Sequence, residues 1–418
     1  MNAPVHVDPI ADAYSLPLDQ IDVSDPKLYQ NDIYYSYFER LRREDPVHWT
    51  QDGMYGSYWS VTKFKDIMQV ETSHQLYSSE AKLGGITITD RPMAYRRPSF
   101  ISMDPPRHDE QRKVVSPIVA PANLQNMEPI IRERTARVLD GLPRGETFDW
   151  VQRVSIELTT LMLTTLFDFP LEERRKLTYW SDISVADVNA GGIVDSEAKR
   201  LELLAEAVEY FTALFHERQA RPGGYDLISM LAHGEATRNI VNDPAEFLGN
   251  LVLLIVGGND TTRNSMSGGL WALCKHPAEY QKLRDNPALV TSMVPEIIRW
   301  QSPVVHMRRT ALADAELGGK QIRQGDKVVM WYVSGNRDED SIDHPNEFII
   351  DRARPRHHMS FGFGIHRCVG NRLAELQLTV LWEEIMKRFP VIELMGEPQR
   401  IYSNFIHGIS GLPVRIPA

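Results

Sequence analysis

The ten residues FGFGIHRCVG at 361–370 constrain this 418-residue chain more than any other stretch, because one cysteine, Cys368, follows a glycine-rich approach and precedes a helical pattern. The succeeding NRLAELQLTVLWEEIMKRF carries Leu373, Leu376, Leu378 and Leu381 near helical period, which predicts Cys368 at a helix N-terminus. Unpaired N–H groups and the helix dipole favour an anion at such an end, so a thiolate is stabilised there. Gly362, Gly364 and Gly370 let the backbone bend and approach something flat, since glycine lacks a Cβ and tolerates φ > 0. The ordinary alternative for a free cysteine is a buried packing residue. The glycines, His366 and Cys368 coinciding within ten residues outweigh it.

The string matches F-G-x-G-x-H-x-C-x-G, and on these residues the chain resembles the cytochrome P450 family. The resemblance implies a mainly α, single cytochrome P450 fold over 1–418 with an extended N-terminal segment over 1–25. An α-rich body would carry a small β-rich portion, with haem b (iron protoporphyrin IX) between the long central helix and the cysteine loop. Cys368 would be the iron ligand, with Phe361, Gly362 and His366 shaping its loop. Thiolate ligation of this kind pushes electron density to iron and favours O–O cleavage.

Helical patterns dominate: 34–44, 126–142, 155–167, 196–220, 245–276, 288–301 and the run after Cys368. Strand-like runs are fewer and short, at 47–50, 57–62, 304–310, 327–333 and 412–416. Length alone would suggest two or three domains, but no low-complexity linker or internal repeat divides the chain. The most apolar helical run, LGNLVLLIVGG at 248–258, is too short to cross a bilayer, and the N-terminus lacks the basic-then-apolar order of a signal peptide, so no membrane anchor is expected. Two cysteines, Cys274 and Cys368, exclude a disulfide framework and suit a reducing cytoplasm. A net charge of −10 does not suit nucleic acid as a partner.

Within 245–276 the patch GGNDTT interrupts an apolar helix, and adjacent glycines there cost about 1 kcal/mol each relative to alanine. Close approach of a large flat group explains them, Gly258 included; so does a hydroxyl bonding back to a carbonyl. The patch resembles the family's A/G-G-x-D/E-T motif, in which Asp260 and Thr261 would steer protons during cleavage of O2. Glu296 and Arg299 match the family's structural E-x-x-R pair, with Arg352 the expected third partner and Arg354 and Arg356 close by. His108 and Arg112 fit its H-x-x-x-R element; with Arg309 and His366 they would meet the haem propionates.

Five arginines between 352 and 372 form a basic cluster in an acidic protein, which suggests docking of an acidic electron carrier. The chain has no flavin or pyridine-nucleotide fingerprint, so the resemblance implies a separate ferredoxin and ferredoxin reductase. Ile86, Ile88, Leu253, Val256, Val304 and Phe405 would line an apolar pocket for a hydrophobic small molecule. IVGGNDTTRNSMSGG is similar to members that oxidise terminal methyl groups. The loop GGITITDRP and the ending YSNFIHGISGLPVRI look most like the soluble alkane terminal hydroxylases. Terminal hydroxylation of alkanes or related aliphatic chains is therefore the leading expectation, with ω-hydroxylation of sterol side chains, terpenes or fatty acids as its alternative. A non-catalytic haem sensor would not need Asp260 and Thr261. A cysteine hydrolase would need a positioned histidine base and an oxyanion hole; His366 lies two residues from Cys368, yet nothing supplies the remaining pattern.

Overall fold

The computed structural model describes residues 11–418. Of the expected extended segment, residues 1–10 lie outside the described residues. Residues 11–25 run as turns and one short 3-10 helix, Leu18–Gln20, and bury Ala13, Ile21 and Val23.

A single long helix, Pro244–Lys275, organises the α-rich body. Pro244 sits at its first position, and the Asp243 carboxylate accepts from the N–H groups of Ala245 and Glu246, both at 3.1 Å, so its start is capped. Its N-terminal half packs against Ile156–Phe167, Arg175–Val185 and Glu197–Gln219 in one apolar cluster that includes Leu163, Trp180, Phe211 and Leu251. Its C-terminal half enters a second cluster with Val290–Gln301 and with Asn371–Arg388, the helix that follows the cysteine. The helices approach closely here: a Cβ on Gly269 would lie 2.9 Å from Ile297.

The β-rich portion is a five-stranded sheet in the order Val47–Gly53, Gly56–Val61, Lys327–Trp331, His306–Ala311, Tyr77–Ser78. Gly56–Val61 and Lys327–Trp331 pair in parallel, and the other pairings are antiparallel. Four of the expected strands fall within three residues of these bounds, and the fifth, 412–416, is Pro413–Arg415, which pairs with Thr147–Asp149 and Glu393–Leu394 in a separate three-stranded sheet. Several helices have no expectation behind them: Phe64–Thr72, Arg107–Val115, Arg175–Val185, Leu227–His233 and Pro277–Asp285. Arg107–Val115, RHDEQRKVV, shows why. Six of its first seven residues are charged or histidine, so apolar periodicity never emerges, and packing fixes the helix instead.

Candidate active site

Between the central helix, the cysteine loop and the sheet lies a cavity of about 440 Å³. Cys368 is enclosed by the protein while its own surface faces this space. Its N–H donates to Phe361 O at 2.8 Å, which closes the loop. Burial pushes the thiol up, opposed by the Gly370 N–H and by Arg112 and Arg367. The helix proper begins at Asn371, so the cysteine stands just before it rather than in its first turn.

Gly362 and Gly364 have φ of +64° and +65°, whereas Gly370 has an ordinary negative φ and does not need to be glycine for conformational reasons. The close approach expected of these glycines is made to protein: a Cβ on Gly364 would lie 2.3 Å from Glu71 O.

Glu71 is a residue that sequence reasoning missed. It is buried at the end of helix Phe64–Thr72, accepts from the Phe363 N–H and from Tyr332 Oη (2.5 Å), and pairs with Arg309 at 3.3 Å. Burial pushes its carboxyl up, and Arg309, Tyr332 and Phe363 oppose that shift. No local pattern joins Glu71 to a loop almost three hundred residues away. The E-x-x-R expectation, by contrast, is met with its third member. Arg299 donates to both Glu296 oxygens (2.7 and 2.8 Å), and Arg352 Nε donates to Glu296 Oε2 at 2.9 Å.

Arg112, Arg309 and His366 line the cavity beside Cys368, with Phe361 and Gly362. His108 stands behind this wall, its ring 4.4 Å from that of His366, and its Nδ1 is 2.7 Å from Asp109 Oδ1. His108 Nε2 and His366 Nδ1 are buried without partners. Burial pushes both imidazoles down.

On the opposite wall, Gly257, Gly258 and Thr261 face the cavity, and Thr261 Oγ1 donates back to Gly257 O at 3.0 Å. Asp260 is placed differently from the expected acid beside Thr261. It is fully buried, accepts from Ser181 Oγ at 2.6 Å and pairs with Arg263, which also reaches the half-exposed Asp182. Neighbouring helical residues point about 100° apart, so the two side chains take different directions. Ser181 and Arg263 compensate the buried carboxylate, which burial otherwise pushes up.

The six expected pocket residues all border the cavity. Ile88 does so from behind, being fully buried in the aromatic cluster under the sheet. Three segments meet at His306, whose Nδ1 donates to Asn404 O (2.8 Å) and whose Nε2 accepts from the Ile88 N–H (3.0 Å).

The chain matches the family description "Cytochrome P450" over residues 195–414. It is 37% identical to linalool 8-monooxygenase of Pseudomonas putida over 95% of this chain and 99% of that one. The chain belongs to the cytochrome P450 family. This P450 also shares 31% identity with a methyl-branched lipid omega-hydroxylase of Mycobacterium tuberculosis, over 92% of its own length and 91% of the relative's. The structure of cytochrome P450-153 from Novosphingobium aromaticivorans superposes with a TM-score of 0.89 at 46% identity, covering 94% of this chain and 99% of the other. The fold is therefore the P450 fold, and the protein is a haem-dependent monooxygenase that uses O2, a hydrophobic substrate and a redox partner.

The residues present fit haem. A cavity-facing thiol, two arginines and the cavity-lining His366, whose Nδ1 lacks a partner, lie on one side, and a glycine pair and an apolar wall on the other. Among the described residues no helix is long and apolar enough to cross a membrane. In the basic cluster, Arg352 and Arg356 are engaged by Glu296 and Glu375, whereas Arg354, Arg367 and Arg372 are exposed and have no ion-pair partner among the described residues.

Proposed function

We propose that this P450 hydroxylates the terminal carbon of alkanes or related aliphatic chains, as one domain acting in the cytoplasm, with electrons supplied by a ferredoxin and its reductase. The observation that carries the reading is the apolar wall that converges on Thr261. Leu253 and Val256 precede Thr261 on one face of the central helix, while Ile86, Val304 and Phe405 come from other segments. Backbone bonds join those segments: Val305 N–H donates to Phe405 O (2.9 Å) and Arg308 N–H to Ile86 O (2.8 Å). A wall tied together in this way orients a chain end-on and so favours its terminal carbon. The name of the methyl-branched lipid omega-hydroxylase supports the same regiochemistry.

Haem held by Cys368 supplies the activation of O2 and the insertion of one oxygen atom into a C–H bond. Arg112, Arg309 and His366 would hold its propionates, with His108 behind them supporting the His366 ring. Glu71 and the Glu296–Arg299–Arg352 triad fix the loop that presents the thiolate. Thr261 Oγ, the hydroxyl facing the cavity, would relay a proton taken up from solvent water, and Asp260 holds the helix register through Ser181 and through Arg263, which also pairs with Asp182. Arg354, Arg367 and Arg372 form the face for an acidic carrier.

Reduced protein with carbon monoxide should give the thiolate-haem Soret band, and its absence removes the assignment of Cys368. Linear alkanes, fatty acids, terpenes and sterols incubated with a surrogate ferredoxin system should yield terminal alcohols. Oxygen placed at internal carbons of linear chains would sink the terminal reading.

A further inference from the structure

The loop between the 3-10 turns Ala81–Leu83 and Met93–Tyr95 walls one side of the cavity without any helix or strand of its own, and Gly85, Ile86, Thr87 and Thr89 line that wall. With no ladder to fix it, its position depends on the sheet strand beside it. Residues of His306–Ala311 alternate in direction, so that Met307 and Arg309 line the cavity while Arg308 and Thr310 turn to the loop. Thr310 Oγ1 donates to Leu83 O at 2.9 Å, and Arg308 Nη2 donates to the same oxygen at 3.2 Å. A Cβ on Gly84 would lie 2.2 Å from that Nη2, so the loop backbone rests on the guanidinium. Lys327, opposite Thr310 on the neighbouring strand, donates to Ile88 O (3.0 Å) and Tyr55 O (2.6 Å).

Asp90 joins these two cations to the loop. Its Oδ1 accepts from Arg308 Nη1, and its Oδ2 pairs with Lys327 Nζ at 2.7 Å. Arg308 and Lys327 are buried, Asp90 is half-exposed, and among the described residues it is the only carboxylate paired with either. Against the effect of partial burial, Lys327 and Arg308 hold the Asp90 carboxyl below the usual carboxylate range; burial pushes the Lys327 ammonium down, and Asp90 opposes that shift. Two enclosed positive charges therefore share one negative charge, and without it they would repel each other uncompensated. Asp90 itself does not line the cavity, so its influence on substrate runs through the loop. The facing walls have other supports: Leu253 and Val256 belong to the central helix, and Val304 is bridged to Ile406 beside Phe405.

We propose that Asp90 is a positioning residue for regioselectivity: by bridging Arg308 and Lys327 it sets how far Ile86 and Thr87 reach into the cavity, and so which carbon of the chain is presented. This rests on the terminal-hydroxylation reading and names the ion pair on which that regiochemistry depends. A small shift of the loop is enough, since misplacement of a reacting atom by about 1 Å can change its rate roughly a hundredfold.

The test uses the haem-loaded enzyme with dodecane and a surrogate ferredoxin system, and reads the ratio of internal to terminal alcohols. Asp90→Asn should raise that ratio at least about fivefold while the carbon monoxide band keeps its position, because the loop moves and the cysteine site does not. Asp90→Glu keeps the charge and should return the ratio toward wild type, which a merely structural role would not require. Lys327→Gln breaks the same bridge from the sheet without altering the loop, and should move the ratio in the same direction. An unchanged ratio in Asp90→Asn overturns the proposal, and so does an unchanged ratio in Lys327→Gln. A ratio in Asp90→Glu as high as in Asp90→Asn overturns the role of the charge. Wild type that gives terminal alcohol, with variants that do the same, sinks this inference alone. Wild type that gives mainly internal alcohols sinks the terminal reading beneath it.

Discussion

His306 links acid stability to the substrate loops. The ring is fully buried and held from both sides: Nδ1–H donates to Asn404 O, and Nε2 accepts from the Ile88 N–H. A proton on Nε2 would face that N–H. Burial, with a contribution from Arg308, accordingly pushes the imidazole from its ordinary 6.5 down to about 4. Between those two values the unfolded chain binds the proton and the folded one does not, so stability falls as pH falls. From pH 7.5 to 5 the loss covers roughly 1.5 units at about 1.4 kcal/mol per unit, or about 2 kcal/mol. Glutamine can donate to Asn404 O and accept from Ile88 N–H without titrating, so His306→Gln removes this term. His108, His358 and His366 titrate alike in both proteins, so comparison of the two cancels them. Urea unfolding of the haem-loaded wild type and His306→Gln at pH 7.5, 6 and 5, followed by tryptophan fluorescence, should show the variant gaining about 2 kcal/mol relative to wild type as pH falls. Parallel pH dependences would refute the assignment of this buried ring as a proton-excluding clasp.

Glu296→Gln places an amide against the buried Arg299 and the half-buried Arg352 and should cost about 3–5 kcal/mol, read as a lower thermal midpoint and less haem-loaded protein. Thr261→Ala should leave substrate binding nearly intact while a larger share of reducing equivalents fails to appear as product; unchanged coupling with an authentic substrate would refute proton transfer through Oγ. Gly249→Ala drives a Cβ into the Pro98 carbonyl, 2.0 Å away, so it should increase amide exchange across 97–103; protection equal to wild type would show that the segment does not rest on the central helix.

The features legible in the sequence are those whose meaning is local. The cysteine loop, the polar interruption of the central helix and the Glu296–Arg299 spacing each lie within a few residues, and each has its counterpart in space. Arg352 could be named as third partner only from the family resemblance, with Arg354 and Arg356 left open, and in the structure it is the one that reaches Glu296. Side-chain direction was less legible: Asp260 and Thr261 read as a pair, yet the helical step turns the carboxylate to Ser181 and Arg263. Contacts between distant segments left no trace at all. Glu71 lies in a short helix with no recognisable pattern, and its partners Arg309, Tyr332 and Phe363 follow more than two hundred residues later.

Two buried carboxylates, Glu71 and Glu296, hold the region around Cys368 from opposite elements, and their chemistry suits the task. Each accepts from a backbone N–H, Glu71 from Phe363 and Glu296 from Ile349, and each is matched by arginine. A carboxylate acceptor cannot hydrogen-bond a thiolate, whereas a nearby donor could divert the sulfur's charge. The donors left facing the sulfur are then few: the Gly370 N–H and, at longer range, Arg112 and Arg367. Replacing Glu71 by glutamine should therefore loosen the Phe363 turn, because a neutral amide no longer pairs with Arg309 and accepts less strongly from the Phe363 N–H. In Glu71→Gln a lower thermal midpoint and less haem-loaded protein check this anchoring, and stability equal to wild type would refute it.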